Sequence, residues 1–144
     1  GAVLAGEASA GDWIVPIMDA RRGQAFTSLF VVGTDDESWG RLEPDGIRRL
    51  AEWAAGVAEA ANRQAVPAVL FVGDTDAHGE TIRAAADWGG RLKLRPLSVD
   101  AGAIGLLAAR RLARGEADDT HAFVPNYTQL AEAEAKLLAA SQGK

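Results

Sequence analysis

The stretch Trp13 to Phe26, reading WIVPIMDARRGQAF, narrows the possible folds of this chain more than any other. Residues 13–18 form an apolar run in which Ile14, Val15 and Ile17 favour extended backbone. Asp19-Ala20-Arg21-Arg22-Gly23 interrupts that run, and Gln24 to Val32 resumes it with strand-like composition. Two such runs about a short segment ending in Gly predict a β-hairpin. On the second run Phe26, Ser28, Phe30 and Val32 share one face, and Ala25, Thr27, Leu29 and Val31 share the other. Both faces are mostly apolar, so this strand is expected to be covered on both sides. A purely structural tip would favour Asn, Asp and Gly. This one carries Asp19, Arg21 and Arg22, and only Gly23 is small.

Further along, the hydrophobic period switches between strand and helix. After a polar turn at 33–38, Trp39 to Glu43 predicts a short third strand, completing an antiparallel meander. Pro44-Asp45-Gly46 reads as a helix start. Ile47, Leu50, Ala51, Ala54, Val57, Ala58 and Ala61 then make one buried face, with Trp53 at its edge. Ala68 to Val72 is wholly apolar and predicts a buried parallel strand. A second helix is expected from about Ala77 to Trp88. Arg91 to Arg95 alternates strictly, as an edge strand with one wet face would. Ser98 suits the N-cap of a third helix, Val99 to Arg114, with Ile104, Leu107, Ala108 and Leu112 as its buried stripe. Residues 130–140 are strong helix formers. The sum is an α/β sandwich whose mixed sheet starts with a three-strand antiparallel meander flanked by helices. Ile17, Phe30, Leu70, Val72, Ile104 and Leu107 are expected in one core.

Three segments carry a resemblance: the hairpin with DARRGQ at its tip, Leu70-Phe71-Val72-Gly73-Asp74, and the closing Val124-Pro125-Asn126-Tyr127 with Ala131-Glu132-Ala133-Glu134. In this order and spacing they resemble the TsaB (YeaZ) family of bacterial tRNA threonylcarbamoyladenosine biosynthesis proteins. The resemblance covers nearly all of the chain but only the second half of the family's protein. The family's first lobe, with its Gly-Pro-Gly-Ser-Phe-Thr-Gly segment, has no counterpart in the sequence. It implies a single lobe of the actin, sugar-kinase and heat-shock ATPase (ribonuclease H-like) fold. On this basis residues 1–12 are expected to be a flexible remnant of an interlobe segment, 13–124 the C-terminal lobe, and 125–144 a partly helical tail. With no initiator methionine, an excised fragment is expected.

Composition removes some functions. A net charge of −5 argues against a general nucleic-acid surface, which wants a basic excess. Zero cysteines exclude disulfides and thiolate metal sites. No apolar run approaches the roughly 18 to 20 residues that span a bilayer, nor does the start look like a signal peptide, so a cytoplasmic location is expected. His78 and His121 stand apart from any H-E-x-x-H pattern, so neither a metal site nor the glycoprotease label attached to relatives of the family is supported. The tryptophans Trp13, Trp39, Trp53 and Trp88 read as core or interface anchors before base-stacking platforms.

Two places could carry chemistry. At the hairpin tip, the guanidinium groups of Arg21 and Arg22 could hold a carboxylate or a phosphate. The plainer reading is a solvated turn in which Asp19 bonds the turn backbone and pairs with an arginine. The second place is Gly73-Asp74-Thr75-Asp76, a D-x-D after an apolar strand. It suits a small aspartate-dependent phosphatase or phosphotransferase using Asp74 and Asp76, or simply a carboxylate capping the next helix. In the ATPases of the resembled superfamily the hairpin turn is glycine-rich, and adenosine-binding members have a Gly-Gly pair where this chain has Gly73-Asp74. Asp19, Arg21, Arg22, Gly23, Gly73 and Asp74 are therefore degenerate phosphate-loop or partner-facing positions, and no cofactor is expected. The resemblance implies a non-catalytic scaffold subunit. In the full-length protein it would pair with the transferase TsaD and act with the ATPase TsaE on the tRNA adenosine next to the anticodon. The isolated lobe is expected to form at most a weak homodimer, and to contact neither nucleic acid nor membrane directly.

Overall fold

The predicted hairpin lies at the heart of the sheet. In the computed structural model, which describes residues 7–34, 38–98, 100–119 and 124, strand β1 (Trp13–Asp19) pairs antiparallel with β2 (Gln24–Val31). The chain continues through β3 (Gly40–Arg49), α1 (Leu50–Arg63), β4 (Val69–Gly73), α2 (Thr75–Ala84), β5 (Leu92–Pro96) and α3 (Ala101–Ala113). The five strands lie in the order β3-β2-β1-β4-β5. The first three form the antiparallel meander, and β4 and β5 add parallel to β1. This is the mixed α/β sheet of a ribonuclease H-like lobe. The wholly apolar β4 sits between two parallel neighbours, and the alternating β5 is an edge strand.

The period-two pattern of β2 is realised as expected. Ala25, Leu29 and Val31 join a cluster with Val15, Ile17, Phe71, Ile82 and the α1 residues Leu50, Ala54, Val57, Ala58 and Ala61. Phe30 and Val32 lie on the opposite face with Ile14, Leu70 and Val72. Trp13 and Trp88 are core anchors; Trp88 meets Phe71 edge-on at 5.6 Å and donates its indole N–H to the Ile82 carbonyl. Trp53 lies half-buried under the Arg48 guanidinium, 4.2 Å from its ring centre, and donates to Thr27 Oγ1. At the other end of β1, Asp12 is buried and accepts from the Ser9 amide at 2.9 Å, while Gly11 donates to the Val32 carbonyl.

Several expectations are corrected. Ile17 on one side of the sheet, and Leu70 and Val72 on the other, belong to two clusters and not one core, with Phe30 only partly buried. The third strand does not stop at Glu43. Gly46, Ile47, Arg48 and Arg49 pair with Thr27, Phe26, Ala25 and Gln24, so the helix begins at Leu50, and Ile47 is a strand residue. A register shift between Thr27 and Leu29 takes up Pro44-Asp45. Proline lacks the N–H a central strand needs, and an irregularity on an edge strand tolerates it. Ala51 is exposed. Helix α2 begins two residues earlier than expected, at Thr75, and ends at Ala84.

Helix α3 is capped by Asp100, whose carboxylate accepts from the Gly102 amide at 2.8 Å, and not by Ser98. Its expected stripe is not buried: Ile104, Leu107 and Leu112 are 57%, 54% and 64% exposed. Periodicity shows which side chains share a helical face; it does not supply the surface that covers them. Leu107→Ala is therefore expected to move the denaturation midpoint by no more than about 0.5 kcal/mol equivalent, as at other exposed sites. A loss of 2 kcal/mol or more in a urea titration (about the minimum for a core leucine) would show the stripe to be buried. The expected tail helix at 130–140 lies outside the described residues.

Candidate functional site

Parallel pairing of β1 with β4 sets Ile17 beside Gly73, and so brings the hairpin tip and the turn after β4 to one corner. The corner is sewn by backbone and carboxylates. The Asp74 amide donates to the Ile17 carbonyl at 3.1 Å, and the Asp19 amide donates to Asp74 Oδ2 at 2.7 Å. Asp74 occupies the N-cap position of α2, yet its side chain makes no cap bond to the helix. It reaches across to β1 instead. Gly73 is required at this joint: its φ is +115°, and a Cβ there would stand 2.0 Å from the Ile17 carbonyl oxygen.

Asp19 does bond the turn backbone, accepting from the Arg21 amide at 3.0 Å. Its side-chain partner is not an arginine, however. Asp19 Oδ1 lies 3.0 Å from Nε2 of His78, one turn into α2, whose side chain is only 14% exposed. The tip is held by Gln24 N–H to Arg21 carbonyl at 2.9 Å and Ala20 N–H to Gln24 carbonyl at 3.0 Å. Arg21, Arg22 and Gly23 all have positive φ, at 65°, 53° and 73°. For Arg22-Gly23 these are the signs of a type I′ hairpin turn, where Asn-Gly would sit with less strain. The Gly23 carbonyl accepts the Leu50 amide at 2.9 Å, joining the tip to the start of α1.

Asp19, Arg21, Arg22, Gly23, Gly73 and Asp74 are thus gathered in one corner. The structure adds His78, which the sequence offered only as a stray histidine, and Arg49, which register places opposite Gln24. A histidine one turn after Gly-Asp was the available signal for the first. Arg49 was hidden because Pro44-Asp45-Gly46 predicts a helix where β3 in fact continues. The D-x-D is not assembled as a reactive pair: Asp74 Oδ2 is taken by the Asp19 amide, and Asp76 is exposed. Beneath the tip a groove of about 740 Å³ opens on the sheet face away from α1, lined by Pro16, Met18, Phe26, Val72 and Leu97, with Asp45 and Asp74 also present. Asp74→Ala should leave the fold intact and speed exchange of the Asp19 amide, at a cost of about 1 kcal/mol for one net hydrogen bond. Unchanged exchange at Asp19 would mean that the bond does not form in solution.

No protein-family model matches the chain. Among curated proteins it is 34% identical over 131 residues to the tRNA threonylcarbamoyladenosine biosynthesis protein TsaB of Bacillus subtilis (strain 168). Over that stretch the chain is similar to TsaB. The match takes in 85% of this chain and 50% of that protein, so the chain spans about half the length of the curated relative. The similarity to TsaB agrees with the fold. A crystal structure of an uncharacterized protein with similarity to peptidase YeaZ from Pseudomonas aeruginosa superposes with a TM-score of 0.58 at 14% identity. It covers 89% of this chain and 53% of that one. Both comparisons thus pair this chain with about half of a TsaB- or YeaZ-like protein, and the structural one carries the fold alone.

Proposed function

We propose that this chain is the C-terminal lobe of a TsaB-like scaffold subunit, itself without catalytic activity, that works in the cytoplasm in threonylcarbamoyl modification of the tRNA adenosine next to the anticodon. Its partners in the full-length protein would be the transferase TsaD and the ATPase TsaE. The similarity to TsaB supports the pathway. The observation that carries the scaffold role is the use made of the corner's carboxylates. Asp74 accepts the Asp19 amide, and Asp19 is shared between the Arg21 amide and His78. Groups that a phosphotransferase would hold open for substrate are here fastening a hairpin to a helix. The division into an interlobe remnant at 1–12, a lobe at 13–124 and a tail at 125–144 goes with this reading.

Reconstituted tRNA threonylcarbamoylation tests it. The full-length protein containing this lobe, combined with TsaD and TsaE, is expected to be required for product, and Asp74→Asn in that protein to preserve it. The 144-residue chain alone is expected to leave a phosphate ester untouched in the presence of magnesium. Turnover of the ester that vanished in Asp74→Ala would overturn the scaffold reading in favour of the aspartate-dependent phosphatase.

A further inference from the structure

The sheet face beneath the hairpin tip combines two features that the fold does not explain. One is apolar. Met18 and Phe26 are cross-strand partners near the tip, 52% and 37% exposed, and with Pro16, Val72 and Leu97 they line the groove of about 740 Å³. Cross-strand neighbours point to the same side of a sheet, so Ile47, opposite Phe26, extends this apolar surface toward β3.

The other is charge. Arg49 stands opposite Gln24, two residues along β3 from Ile47 and hence on the same face. Arg21 and Arg22 project from the tip. All three are exposed, and none has an ion-pair partner among the described residues. The carboxylate nearest to them in sequence, Asp19, is engaged by His78 and the Arg21 amide. Arg21 and Arg22 also keep positive φ, which costs non-glycine residues free energy and points to a use for their side chains.

We propose that this corner docks an acidic segment of a partner protein, with an apolar side chain seated between Met18 and Phe26 and carboxylates held by Arg21, Arg22 and Arg49. The inference rests on the scaffold reading in taking the partner to be a protein. Guanidinium groups beside a desolvated apolar pocket are the usual composition of an interface hot spot, and the planar fork suits carboxylates. Charge decides between occupants. An RNA strand laid along the groove would bring a phosphate with every nucleotide against Asp45 and Asp74, whereas the peptide sets only an apolar side chain in the groove and keeps its carboxylates at the three arginines. Helix α3 of a second copy offers apolar side chains, but between Ala101 and Ala113 it carries no carboxylate for the three arginines to hold.

The test is a titration of the ¹⁵N-labelled 144-residue chain with three probes. These are a peptide of two leucines followed by four glutamates, the same peptide with lysines for glutamates, and a twelve-residue oligoadenylate. The acidic peptide is expected to shift the amides of Met18, Gln24, Phe26 and Arg49 with saturation below 1 mM, and the lysine peptide to leave them in place. Arg21→Glu with Arg22→Glu should weaken the acidic peptide at least tenfold. Met18→Glu, at an exposed position, should do likewise while preserving amide dispersion. Three results overturn the proposal: no saturation by 1 mM, equal binding by the charge-reversed variant, or tighter binding of the oligoadenylate. Movement of the Met18 and Phe26 amides with protein concentration alone would also overturn it, assigning the groove to a second copy. None of these bears on whether the full-length protein supports tRNA modification, so the two readings fail separately.

Discussion

Phe71→Ala is expected to remove about 3 to 5 kcal/mol of folding stability, the range for truncating a buried aromatic. Phe71 is fully buried in the middle of β4, with Val15 and Leu94 beside it in register on the two flanking strands. Its ring meets Trp88 edge-on at 84°, a contact worth about 0.5 to 1.5 kcal/mol beyond the area it buries. Since an ordinary domain has only about 5 to 15 kcal/mol to lose, the variant should be partly unfolded at moderate urea. Equilibrium denaturation followed by tryptophan fluorescence measures this, because Trp88 reports on the same contact. A midpoint change equivalent to less than 1 kcal/mol would mean that β4 is not the central buried strand.

A single added methyl at Gly73 should be almost as damaging. Gly73→Ala places a Cβ 2.0 Å from the Ile17 carbonyl oxygen, and that oxygen is the acceptor of the Asp74 amide. The neighbour is backbone, so relief requires β1 and β4 to move apart. Overpacking of this kind costs about 1 to 3 kcal/mol, and the positive φ adds about 1 to 3 more. We expect a loss of about 3 kcal/mol and, with it, faster hydrogen exchange at Asp19 and Asp74. A stable variant with slow exchange at both amides would show that the joint is looser than its geometry implies.

Much of the architecture was legible in the sequence, for identifiable reasons. The hairpin was marked by two apolar runs about DARRGQ, the buried strand by its uninterrupted apolar composition, and the faces of β2 by strict alternation. What failed were inferences from local signals that a tertiary pairing overrides. Pro44-Asp45-Gly46 is a good helix start by composition, but pairing of Gly46 to Arg49 with β2 keeps the chain extended for a further turn's worth of residues. The α3 stripe is a real helical face, yet nothing in a one-dimensional pattern reveals whether another element lies against it. Of the site, the named tip and turn residues were readable because unusual side chains stood in a turn. The Asp19–His78 pair and the place of Arg49 were not, because both depend on which strands lie side by side.

The strand order has a kinetic consequence. The meander of β1, β2 and β3 joins neighbours in sequence, and such local contacts form at small entropic cost. The corner at Asp19 and Asp74 instead unites residues 55 apart, with α1 between them. Its closure must wait until β4 has found β1 across that loop. In the time order of folding, the arginine-bearing tip is therefore expected to be shaped before the turn that anchors it, the corner becoming a single unit only when the parallel pair has formed.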